Sequence, residues 1–126
     1  MVVLDTNILI DYIRVKGAKK TPLENVTEIV GKKSLAISVL VVQELFRGKS
    51  VAEPEVESTL MTIINSLDIL PYTFEVARKA GEISRDSNLS FPDAAIAATA
   101  IVNGAQLATI NIKDFAGIRE LELYKI

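Results

Sequence analysis

The chain has 126 residues, with 14 Lys and Arg against 16 Asp and Glu, a formal net charge of −2 and a pI of about 5.2. It contains no cysteine and no histidine, which excludes disulfides, thiolate zinc sites, imidazole bases and serine triads of the usual kind. Catalysis is left to carboxylates, hydroxyls, amides, Lys and Arg, and metal binding to hard cations that accept oxygen ligands.

The first segment, MVVLDTNILIDYI, has no basic stretch before it and carries Asp5 and Asp11 inside its apolar run, so it does not read as a signal peptide. Val2-Val3-Leu4 predicts a buried strand, and Thr6 is placed to cap a helix carrying Ile8, Leu9, Tyr12 and Ile13. A Lys-rich break follows at 17–20. Thr21-Pro22-Leu23-Glu24 combines a capping box with an early proline and predicts a helix to about Gly31. Leu35-Ala36-Ile37 predicts a second strand. Ser38 then caps a helix with Leu40, Val41, Glu44 and Leu45, which Gly48 ends. A helix over about 54–66 precedes a short strand at Asp68–Leu70. Pro71-Tyr72-Thr73 leads into a helix with Val76, Ala77, Ala80 and Ile83 on one face. Phe91-Pro92-Asp93 opens an Ala-rich helix to about Asn103, stopped by Gly104. Leu107 and Ala108 lie in a fourth strand, 110–118 reads as a loop, and 121–124 as an edge strand.

Strands alternating with helices predict one α/β domain over 1–126 with a mainly parallel sheet. The longest uncharged apolar runs, 35–42 and 94–102, fall well short of the ~20 residues that span a bilayer. The expectation is a cytoplasmic protein with no membrane segment.

In an open α/β sheet, sites form beyond the carboxyl ends of the strands. Asp5 directly follows strand one, and Asp114 lies in the loop after strand four. Asp93 opens the helix that leads into that strand, and Glu44 lies one and a half turns into the helix after strand two. Each acid has a plainer alternative. Asp93 at a helix start gains ~0.3–1 kcal/mol from the helix dipole. Glu44 fits a solvated helix face, although its apolar neighbours speak for burial, and Asp114 fits a turn or cap. Asp5 is hardest to explain so, because it interrupts VVLDTNILI and a buried unpaired carboxylate is rarely tolerated. Clustered, each pair at ~5 Å and an effective dielectric of ~20 costs about 3 kcal/mol. Bound cations or shared protons are needed, and Mg²⁺ suits such a site because it takes a few carboxylates and keeps several waters.

These residues carry a family resemblance. The sequence resembles the PIN-domain family, and within it the VapC-type toxins of toxin–antitoxin pairs. VVLDTNILIDYI is similar to the family's first strand and first acid, here Asp5, and ISVLVVQELFRG resembles the segment with the second, here Glu44. FPDAAIAATAIVNGAQLATINIKDF resembles the long C-terminal signature with the third and fourth, here Asp93 and Asp114. The resemblance implies a three-layer α/β fold with four or five mainly parallel strands flanked by helices. It further implies a Mg²⁺- or Mn²⁺-dependent endoribonuclease, a homodimer and inhibition by a small antitoxin. Asn7, Thr109 and Asn111 match polar positions beside the family's acids and would orient carboxylates or water; cap or turn hydrogen bonds are the alternative. The family often has Arg where this chain has Ile110, a departure that bears on RNA contact more than on catalysis.

On this reading Asp5, Asp93 and Asp114 hold one or two metal ions, and Glu44 assists as a ligand of a second ion or as a general base. The phosphodiester of RNA is hydrolysed to leave a 5′-phosphate. Positive charge for the backbone could come from Arg14, Lys16, Lys19 and Lys20, from Arg47 and Lys49, or from Lys113; each also fits a solvated face. Apolar faces around Leu9, Tyr12 and Ile13, and around Leu40 and Phe46, could meet a partner or simply pack in the core. Two rival functions are a housekeeping PIN nuclease in ribosomal RNA maturation and a non-catalytic interaction module. An aspartyl-phosphate mechanism at Asp5 needs a second Asp two positions on, where this chain has Asn7.

Overall fold

The computed structural model describes residues 1–15 and 19–126. Lys16, one of the candidate phosphate contacts, and Gly17 and Ala18, the start of the predicted Lys-rich break, lie outside them. Four parallel strands form the sheet: β1 (Val2–Leu4), β2 (Leu35–Ser38), β3 (Asp68–Leu70) and β4 (Gln106–Ala108), in the order β3-β2-β1-β4. Among the described residues seven helices flank it: α1 (Thr6–Arg14), α2 (Pro22–Val30), α3 (Val39–Phe46), α4 (Pro54–Asn65), α5 (Phe74–Asp86), α6 (Phe91–Val102) and α7 (Ile112–Phe115). Short 3₁₀ turns cover Lys32–Ser34 and Lys49–Ala52.

Strands β1 and β2 are buried at every position, so β1 and the first three residues of β2 read as unbroken apolar runs rather than alternating ones. Register pairs Val2 with Leu35 and Gln106, and Val3 with Ala36 and Leu107. Asp5 N–H donates to Ala108 O at 2.9 Å, which carries the β1–β4 ladder one residue past β1. The 121–124 segment contributes only an isolated parallel bridge, Leu107 with Leu123, because Leu107 N–H donates to Glu122 O and Tyr124 N–H to Leu107 O and the pairing goes no further. Among the described residues the sheet therefore has four strands, with 121–124 lying along its edge.

Helix starts follow the predicted capping chemistry at α2, where Thr21 and Glu24 form the capping box, and at α3, where the Ser38 hydroxyl accepts from Leu40 N–H. At α1 the cap is Asp5 rather than Thr6, since the Asp5 carboxylate accepts from Thr6 N–H and leaves the threonine hydroxyl free for another partner. Ala77 is exposed, so the buried face of α5 is narrower than predicted: Val76, Ala80 and Ile83. Within the predicted 110–118 loop, α7 forms because Phe115 is 1% exposed and pins the turn to the core.

Helix α6 is buried throughout Ala94–Ala100, and its small side chains let it lie close against its neighbours. It ends in a Schellman motif. Gly104 adopts φ +64, its N–H donates to Ile101 O, and Ala105 N–H donates to Ala100 O. That sharp stop sends the chain straight into β4, beside β1.

Candidate active site

Strand β1 has β2 on one side, reached through α1 and α2, and β4 on the other, reached only at the end of the chain. Strand order reverses between β1 and β4, so the loops leaving their carboxyl ends diverge and open a crevice there. Asp5 and Thr109 are the first residues beyond those two ends. The Thr109 hydroxyl donates to Asp5 Oδ2 at 2.7 Å, while Thr6 N–H donates to Asp5 Oδ1 at 2.8 Å. Thr109 Oγ1 in turn accepts from Asn7 Nδ2 at 3.3 Å and Asn111 N–H at 3.0 Å, which uses its one donor and both acceptor sites. Ile110 N–H donates to Asn7 Oδ1. Residues from the two ends of the chain thus lock the first carboxylate in place.

Glu44 comes from α3. Its Oε1 accepts from the Thr6 hydroxyl at 2.6 Å, so Thr6 joins the first and second acids through successive backbone and side-chain bonds. Asp93 is the third residue of α6, capped by Ser90, whose hydroxyl accepts from Asp93 N–H at 3.3 Å. Asp114 lies in the first turn of α7 and is exposed.

The electrostatics tie these acids together. Asp5 is 4% exposed, and burial pushes its carboxyl from an ordinary 3.8 up to about 6. The hydrogen bonds from Thr109 and Thr6 oppose that rise, and the charges of Asp93 and Glu44 add to it. Asp93 is also raised, first by burial and then by Glu44 and Asp114, against its link to Ser90. The four predicted acids therefore form one group of mutually repelling charges. Among the described residues none of them takes part in an ion pair with Lys or Arg. Partial relief comes from helix N-termini, since Asp5 caps α1 and Asp93 and Asp114 sit in first turns.

Among the described residues no three such side chains stand as a ready-made ligand set. The donor set is nonetheless all oxygen, negative and without a basic partner. That chemistry suits a hard divalent ion that keeps much of its water shell.

The other predicted residues divide. Asn7 and Thr109 are in the network through their side chains, whereas Asn111 contributes its backbone N–H. Arg14 ends a nine-residue helix that starts at the site, about 13 Å away at 1.5 Å per residue. Lys20 pairs with Glu28 at 2.6 Å. Arg47 lines a small cleft with Glu44. Leu9 is core, while Tyr12 lines a separate groove of about 400 Å³ with Leu23, Leu35 and Ile63. The sequence reading passed over Thr6 as a site residue; its hydroxyl next to Asp5 at the entry to a helix was the available signal.

Comparison with known proteins bears on the fold as a whole. Ribonuclease VapC10 of Mycobacterium tuberculosis is 31% identical over 127 residues, covering 97% of this chain and 91% of its own. A chain of a toxin–antitoxin complex from Klebsiella pneumoniae superposes with a TM-score of 0.80 at 27% identity, covering all of both chains. A chain of VapBC2 from Rickettsia felis, solved bound to a DNA fragment from its promoter, gives 0.83 at 28%, covering 98% and 96%. The PIN domain model matches residues 2–121. With its four acids gathered where β1 and β4 part, and with that match over nearly its whole length, the chain belongs to the PIN domain family.

Proposed function

We propose that this protein is a metal-dependent endoribonuclease that hydrolyses RNA phosphodiester bonds, the toxin of a toxin–antitoxin pair. The observation that carries the reading is the uncompensated acidic group at the strand-order reversal, with the Asp5 carboxyl raised to about 6. The names of its relatives support the substrate and the partner: a ribonuclease at 31% identity, and structural neighbours solved as toxin–antitoxin complexes.

Asp5, Asp93 and Asp114 would hold Mg²⁺ or Mn²⁺, directly or through water. When bound, such an ion supplies Lewis-acid polarisation of the phosphodiester and a lowered pKa for water. The chain's own residues supply the rest. Thr109 and Thr6 N–H fix both oxygens of Asp5, so its remaining lone pairs face the crevice with little freedom. Thr6 holds Oε1 of Glu44 and leaves Oε2 to accept a proton or to bind. A homodimer and a small antitoxin that silences the crevice complete the proposal.

The test is cleavage of a single-stranded RNA with Mg²⁺ or Mn²⁺, and with EDTA. Wild type cuts only with the ion, and Asp93→Asn melts no lower than wild type but loses at least about 100-fold in rate. Equal cleavage by Asp93→Asn, or cleavage in EDTA, refutes it.

A further inference from the structure

Beside Glu44, a cleft of about 100 Å³ opens between α3 and the start of α6, lined by Leu40, Gln43, Glu44, Arg47, Phe91 and Pro92. Phe91 is the first residue of α6, two positions before Asp93, and is 71% exposed. Arg47 caps the end of α3 one turn beyond Glu44. Among the described residues no carboxylate lies within ion-pair distance of it. An aromatic face, a free guanidinium and an amide-bearing side chain, Gln43, therefore share one cleft with an acid of the site.

We propose that Phe91 and Arg47 form a subsite for one unpaired nucleotide of the RNA, with its base stacked on Phe91 and its phosphate on Arg47. The proposal rests on the ribonuclease reading and names two residues of this chain that would hold the RNA beside the acids. Three features favour a nucleotide over a protein partner. Every base has a face that stacks on an aromatic ring, and such stacking tolerates any sequence. A guanidinium offers a fork of donors to phosphate. The cleft also adjoins Glu44 itself, so a nucleotide held there delivers its neighbouring phosphodiester toward the acids. In duplex RNA the bases are stacked on each other and closed to Phe91.

The test uses an oligoribonucleotide carrying one 2-aminopurine, titrated with protein in EDTA so that binding is read without cleavage. Wild type quenches the fluorophore. Phe91→Ala weakens binding about 10-fold and loses the quench, as the loss of one base stack predicts. Phe91→Trp restores both, and Arg47→Ala weakens binding without abolishing the quench. Unchanged affinity and quench in Phe91→Ala overturn the subsite. So does a loss that light scattering traces to a changed oligomeric state, which would make Phe91 a subunit contact. Cleavage by wild type in Mg²⁺ is measured separately. If wild type cuts and Phe91→Ala is unchanged in KM, the subsite fails and the ribonuclease reading stands. If no RNA is cut while base quenching persists, the ribonuclease reading fails and the nucleotide site stands.

Discussion

Asp5→Asn should make the metal-free protein more stable at neutral pH. Asp5 has a folded pKa of about 6 against an ordinary 3.8. A group raised on folding contributes stability that is present in full below its unfolded pKa and is lost as pH rises through the folded one. Wild type therefore loses stability between about pH 4 and pH 6. The full difference, about two pKa units at 1.36 kcal/mol each, is about 3 kcal/mol. Asn is never charged, so it escapes that loss. It keeps the acceptor for Thr6 N–H but presents an amide to the Thr109 hydroxyl, which already accepts from Asn7 and Asn111. One mismatched hydrogen bond returns about 1 kcal/mol. The net gain is about 2 kcal/mol above pH 6, or roughly 6–8 °C for a domain this size, and near zero or slightly negative at pH 4. Thermal denaturation in EDTA across pH 4–8 measures it. An Asn variant no more stable than wild type at pH 7, or equally displaced at pH 4 and pH 7, would refute the account of a buried, repelled carboxylate.

Three further expectations can be checked with the same preparations. Saturating Mn²⁺ or Mg²⁺ should raise the wild-type melting temperature by mass action, and Asp114→Asn should reduce that rise; an equal rise in the variant takes Asp114 out of the metal site. Thr6→Val keeps the shape of the side chain but removes the hydroxyl that holds Glu44, so cleavage should fall roughly 10–100-fold with little change in RNA affinity; an unchanged kcat would show that Glu44 needs no such anchor. Gly104→Ala meets no neighbouring atom within 4 Å, so its cost is the backbone alone at φ +64, about 1–2 kcal/mol by chemical denaturation.

Much of this protein is written locally. The capping box of Thr21 and Glu24, the Ser38 cap and the Gly104 stop are short-range chemistry, and they set α2, α3 and α6 within a residue or two of where the sequence places them. The burial of Asp5 was legible because a carboxylate inside VVLDTNILI interrupts an apolar run, and the absence of histidine and cysteine leaves hard-metal chemistry as the role proposed for it. All four acids lie close after the strand ends or helix starts named for them, Asp5 beyond β1 and Glu44, Asp93 and Asp114 on α3, α6 and α7, because strand ends in α/β folds collect polar groups whatever the strand order.

Partnership was not written locally. Thr109 meets Asp5 across 104 positions because β4 lies beside β1 rather than beyond β3, and Thr6 meets Glu44 across 38 because β2 lies on the other side of β1. Nothing in the apolar pattern of three- and four-residue strands specifies that order. The same gap explains the misread ends of the chain: 121–124 has the alternation of a strand, yet only one bridge forms, and α7 exists because Phe115 finds a buried place that the 110–118 segment does not announce. The chain by itself determined which groups could do chemistry here. Tertiary packing decided which of them share a crevice, because burial and charge repulsion depend on what lies within a few ångströms rather than within a few residues.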